Sequence, residues 1–178
     1  MSRLRVLEYP DPRLRTRARP VAIVDDGVRA LLDDMLETMY AGPAIGLAAT
    51  QVDVHLRLLV ADVSDDQSAP LCFINPEVLS TSAPGMSEEQ CLSLPGFSGV
   101  VARDLRVRVR ALDRHGAPFE LEAEGLLAVC IQHEIEHLDG RLFVDHLSWW
   151  KRLGLRRKLE RARRSGGDGA GPVGPGGP

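Results

Sequence analysis

Apolar residues recur every three or four positions at Val28, Leu31, Leu32, Met35 and Met39, the stripe of an amphipathic helix. Asp25 or Asp26 stands where its N-cap belongs, and Gly42-Pro43 ends the run. Further on the period drops to two. Leu105, Val107, Val109 and Ala111 alternate with Arg106, Arg108 and Arg110, which predicts a half-exposed antiparallel strand with the arginines on its solvated face. Residues 56–63 and 71–79 read as strands, the second interrupted by Asn75-Pro76, and His115-Gly116 turns the chain into another over 118–122. Residues 124–138 read as a long helix closed by Gly140. Its Leu126, Leu127, Val129, Cys130, Ile131 and Leu138 are apolar nearly all round, so it should be buried. Strands grouped before a helix predict an α+β fold. No glycine-rich phosphate loop follows a strand, and no serine nucleophile elbow is present.

Composition divides this picture. The chain has 178 residues, 44% hydrophobic, which suits one domain with appendages. Its formal charge of −3 conceals two halves: residues 1–147 carry 14 Arg against 23 carboxylates, a net of −9, while residues 148–178 carry 8 cations against Glu160 and Asp168, a net of +6. Residues 148–164 place Trp149, Leu153, Leu155 and Leu159 among those cations, consistent with a basic amphipathic helix. Residues 165–178, rich in Gly and Pro, cannot bury enough apolar surface to offset ordering entropy and are expected to be disordered. No run approaches 18 apolar residues, and the charged, proline-punctuated start lacks an apolar signal core, so the expected location is the cytoplasm with no membrane partner. Cys72, Cys91 and Cys130 are too few for a disulfide framework, which leaves each as core filler or ligand.

The candidate chemistry lies on the second helix. His133-Glu134-Ile135-Glu136-His137 is an HExxH: histidines four apart share one helical face and can hold one metal ion, and the glutamate flanks that face as a general base. A third protein ligand is expected, with Cys91, Cys72, Cys130, His146 and the acidic residues as candidates. Cys130 and Cys72 sit among apolar neighbours and read as core. Cys91 lies in a polar, turn-rich segment, where a thiolate suits a soft divalent metal.

Three segments resemble the peptide deformylases. Residues 44–51, AIGLAATQ, are similar to that family's GxGxAAxQ; Glu89-Gln90-Cys91-Leu92-Ser93 to its EGCLS; and residues 132–140, QHEIEHLDG, to its QHExDHLxG. The likeness runs from about residue 4 to residue 160. It implies antiparallel sheets around a buried HExxH helix in a catalytic metallohydrolase domain over 1–147, and hydrolytic removal of the N-formyl group from formyl-methionine of nascent polypeptides. Carried over by motif, Cys91, His133 and His137 ligate the metal, Glu134 is the general acid/base, and Gln51 and the Leu92 amide stabilise the oxyanion. Fe²⁺ is the implied ion, with Ni²⁺, Co²⁺ or Zn²⁺ able to replace it. The basic C-terminal helix implies docking on the ribosome, and the enzyme is expected to be a monomer. Gly46 is small enough for a peptide to approach closely, and Ile45, Leu126 and Val129 are candidate walls of a methionine pocket or else core. Glu89 and Arg103 match positions that could brace the Cys91 loop by a salt bridge.

Two departures stand out. Ala44 and Gln90 occupy positions where the family motifs have Gly, and a glycine before the metal cysteine could be needed for φ > 0 or for space. Gln90 therefore keeps alive a catalytically altered relative that binds ribosomes or formyl peptides. A metallopeptidase built on HExxH is a further alternative, but it leaves the Gln51 and Cys91 segments unexplained.

Overall fold

Five antiparallel strands in spatial order β1-β2-β3-β4-β5 organise the protein in a computed structural model describing residues 2–155 and 157: β1 (Gly46–Ala48), β2 (Leu58–Ala61), β3 (Leu71–Gln90), β4 (Ser98–Leu112) and β5 (Pro118–Glu124). Two helices, α1 (Asp26–Ala41) and α2 (Gly125–Leu138), complete an α+β fold. Asp25 caps α1, its Oδ1 accepting the Val28 N–H at 2.9 Å.

Alternate side chains of β1 and β2 serve two cores. Ala48, Leu59 and Ala61 join Phe73, Val107, Val109 and Ile131 in a cluster with α2. Leu47, Leu58 and Val60 join Ile74 in a second cluster with Leu32, Met35 and Met39 of α1. Burial on both faces explains why β2 is apolar at every position instead of alternating.

β3 is much longer than expected. Only Leu71 to Ile74 pair with β2; beyond an irregularity at Asn75-Pro76, where Asn75 takes φ 53° and bonds both backbone groups of Val21, the strand pairs with β4 alone to Gln90. That two-stranded ribbon has no apolar alternation to announce it, because much of its surface faces water. On β4 the arginine ladder is solvated as expected: Arg106 pairs with Glu124, and Arg108 and Arg110 share Glu120, exposed pairs that contribute little stability.

α2 matches the expected helix, ending before Gly140 at φ 73°, where a Cβ would lie 2.4 Å from the Arg15 carbonyl oxygen. Its first turn differs from the expectation of burial all round, since Leu126 is 57% exposed. After α2 the chain makes a 3₁₀ turn, Phe143–His146, tied back by Asp145, which pairs with Arg15 and accepts the Leu142 N–H. The chain divides into Met1–His146 and Leu147–Pro178. In the second unit residues 149–155 are helical, with the Trp149 and Trp150 rings edge-on at 4.6 Å; the remaining expectations for 158–178 lie outside the described residues. No described helix is long and apolar enough to cross a membrane.

Candidate metal and catalytic centre

The buried face of α2 delivers His133 and His137, and the turn that follows β3 delivers Cys91. Their ligand atoms all lie within 4.8 Å of one another, and Cys91 Sγ is 3.2 Å from His137 Nε2. Ligands around one tetrahedral ion with bonds of about 2.0–2.3 Å stand roughly 3.3–3.6 Å apart, so the Cys91–His137 spacing suits a shared ion and the three groups form a candidate divalent-metal site. Glu134 Oε2 and His137 Nδ1 are buried with no hydrogen-bond partner among the described residues. Unpartnered buried polar atoms are costly to a fold, and the Glu134 oxygen stands on the cavity wall, where a reactant would complete it.

Electrostatics differentiate these groups. Burial lifts the Glu134 carboxyl to about 7, so it can take up and return a proton near neutrality. Burial also holds His137 well below the usual imidazole range, keeping it neutral and ligand-ready. Burial works against charge on His133 as well, but hydrogen bonding with Cys91 and Glu89 outweighs it and raises that pKa.

Gln51 is fixed in orientation. Its Oε1 accepts the Ala48 N–H at 2.8 Å, which forces Nε2 toward Cys91 Sγ at 3.4 Å and Ser93 Oγ at 3.2 Å. The N-terminal segment pins both neighbours, Leu7 N–H donating to the Gln51 carbonyl and Tyr9 N–H to that of Ser93. Ser93 carries no sequence signal of its own beyond standing in the cysteine motif.

A cavity of about 490 Å³ opens beside these groups. Ile45, Gly46, Leu126 and Val129 line it, as do Gln51, Cys91, Leu92, His133 and Glu134, whereas His137 is not on its wall. Gly46 is required by contact: a Cβ would stand 2.7 Å from Glu134 Oε1 and 2.6 Å from Cys130 Sγ. Val129 is buried, while Ile45 and Leu126 are exposed at the cavity. Cys72 and Cys130 stay out of the ligand set; burial raises both thiol pKa values, well above the usual for Cys130.

Behind His133 lies a buried polar chain. His133 Nδ1 is 2.7 Å from Glu89 Oε2, and Glu89 takes Arg103 Nε at 2.5 Å. Arg103 also reaches Glu136, at 2.9 Å from Nη1 and 3.0 Å from Nη2. Burial opposes the charge on Glu89, yet hydrogen bonds from Arg103 and His133 bring its pKa down to about 2. Glu89–Arg103 is thus a buried pair and not two solvated charges. Glu136 stands where the family motif has Asp, and its part in the chain was not legible in sequence.

The model of the polypeptide deformylase family matches residues 3–153. This chain belongs to the peptide deformylases. A peptide deformylase of Azotobacter vinelandii is 60% identical over 168 residues, covering 94% of this chain and all of the relative. Peptide deformylase 1 of Pseudomonas syringae pv. tomato is 59% identical, covering 92% of this chain and 98% of that one. Among solved structures, the Legionella pneumophila deformylase superposes with a TM-score of 0.88 at 45% identity, covering 96% of this chain and all of that one. That of Ehrlichia chaffeensis in complex with actinonin gives 0.88 at 40%, covering 92% and 99%. The activity is accordingly that of a hydrolase removing N-formyl groups.

Proposed function

We propose that this deformylase acts on formyl-methionine of nascent polypeptides by metal-dependent amide hydrolysis, with Cys91, His133 and His137 holding one divalent ion. The observation that carries this reading is the convergence of one thiol and two imidazoles within 4.8 Å beside a buried, unpartnered glutamate oxygen. Fe²⁺ is the ion we favour, with Ni²⁺, Co²⁺ or Zn²⁺ as replacements, since a thiolate–imidazole set accepts them all. When bound, such an ion would acidify water and polarise the formyl oxygen. Glu134 would accept the proton of the attacking water and pass it to the departing α-amine. The Gln51 Nε2, locked in place by Ala48, would donate with the Leu92 N–H to the oxygen on which negative charge develops. Ile45, Gly46, Leu126 and Val129 would receive the methionine side chain and its backbone along the cavity wall.

Gln90 is compatible with turnover. It lies outside the positive-φ residues, as does Ala44, so neither position needs glycine for its backbone. Gln90 is exposed and lines the cavity, where its side chain would narrow the rim and tune substrate range. Anaerobic turnover of formyl-Met-Ala-Ser beside its unformylated twin, with metal analysis, tests the whole reading. Deformylation without internal cleavage is expected, and Gln90→Gly should shift KM more than kcat. Internal cleavage would instead indicate a peptidase. Stoichiometric metal without turnover would indicate a binding protein, and so would activity gained only in Gln90→Gly.

We further propose that the catalytic body, 1–147, acts as a monomer in the cytoplasm and is brought to ribosomes by the basic segment 148–164. Truncation after Leu147 should reduce ribosome co-sedimentation and flatten its salt dependence. Undiminished binding rules the segment out as the anchor.

A further inference from the structure

We propose that His146 is a positioning residue for the metal ligand His133, acting from the 3₁₀ turn through the buried polar chain. His146 Nε2 lies 2.8 Å from Glu136 Oε1, and Glu136 holds one side of Arg103, whose other side holds Glu89. Glu89 in turn accepts from His133 Nδ1, which fixes the tautomer whose Nε2 is free for a ligand bond. The same turn touches His133 directly, because the Phe143 ring packs on the imidazole at 5.8 Å between centroids. His133 is therefore held by an aromatic ring and by a line of charges whose outermost member is His146.

The arrangement leaves no slack. Arg103 sets its Nε and both Nη atoms against two carboxylates, and Glu89, Arg103 and Glu136 are each less than 9% exposed. Glu136 has one more methylene than the motif's aspartate, hence one more torsion to immobilise. His146 supplies that restraint from the edge of the fold, its own side chain 36% exposed. Loss of His146 should free Glu136 to turn, loosen Arg103 on Glu89, and broaden the orientation of His133.

This inference rests on His133 being a metal ligand, and calorimetric titration of the wild-type chain and of His133→Ala with Ni²⁺ tests that assignment separately. The positioning role is read from the rate at which Ni²⁺-loaded protein loses its ion to excess chelator, with Tm and the ¹⁵N imidazole shifts of His133 measured alongside. His146→Ala should speed release by up to about tenfold, with turnover per bound ion little changed. His146→Gln, which can still donate to Glu136, should restore the wild-type rate. His146→Asn, too short to reach, should behave like the alanine variant and replaces it if that one fails to fold. Release at the wild-type rate from both short variants would overturn the role. Faster release that tracks a fall in Tm in all three variants, glutamine included, would also overturn it, because that pattern is general loosening.

Discussion

Glu134→Gln should lower kcat on a formylated peptide by roughly 10²–10⁴-fold while metal content stays at the wild-type level. The carboxylate is buried, its Oε2 has no partner among the described residues, and burial holds its pKa at about 7. Glutamine keeps the shape but can neither accept nor return the proton. Because Glu134 is outside the ligand set, ion retention should not change. Gly46→Ala provides a geometric counterpart: its methyl would have to occupy space 2.7 Å from Glu134 Oε1, so the carboxylate must move or the strand must. Overpacking of this kind costs about 1–3 kcal/mol, and activity should fall with it. Steady-state kinetics paired with elemental analysis checks both variants. A Glu134→Gln enzyme within tenfold of wild type at full metal occupancy would remove Glu134 from the proton transfers.

Arg103→Met should be strongly destabilising. It leaves Glu89 and Glu136 as buried carboxylates without their shared cation, and breaking such a network from one side costs about 3–5 kcal/mol. At roughly 2–4 °C per kcal/mol for a domain of this size, Tm should fall by roughly 6–20 °C. Calorimetric melting of Arg103→Met, Glu89→Leu and the double variant gives the coupling; additive losses would dismiss the network. Acid titration supplies an independent sign. Glu89 is held at about 2, below its ordinary 4.5, so its contribution is fully present above the ordinary value and disappears as pH falls toward 2. Wild-type stability should therefore decline more steeply over that window than that of Glu89→Gln.

Local pattern was sufficient for the helices and for much of the sheet. The 3.6-residue stripe from Val28 to Met39, the alternation from Leu105 to Ala111 and the apolar run around HExxH each correspond to an observed element. The ribbon from Ser80 to Gln90 escaped because neither face is consistently apolar, and its partner strand is the only reason it is extended. β1 and the 3₁₀ turn Ala49–Val52 escaped because three or four residues are too few to show a period.

For the centre, HExxH placed two imidazoles on one face, since helix geometry makes spacing a statement about space. The motif resemblance singled out Cys91, Gln51 and Leu92. What the sequence by itself determined was therefore the family, the helix bearing the site, and the candidate ligands and base. The tertiary structure alone decided the rest: the locked orientation of Gln51, the contact that makes Gly46 obligatory, the harmless backbone at Gln90, and the chain from His133 to His146. Successive partners along that chain lie 10 to 44 positions apart in sequence. A charged residue looks the same in sequence whether water or a buried partner satisfies it, and only folding brings the partners together.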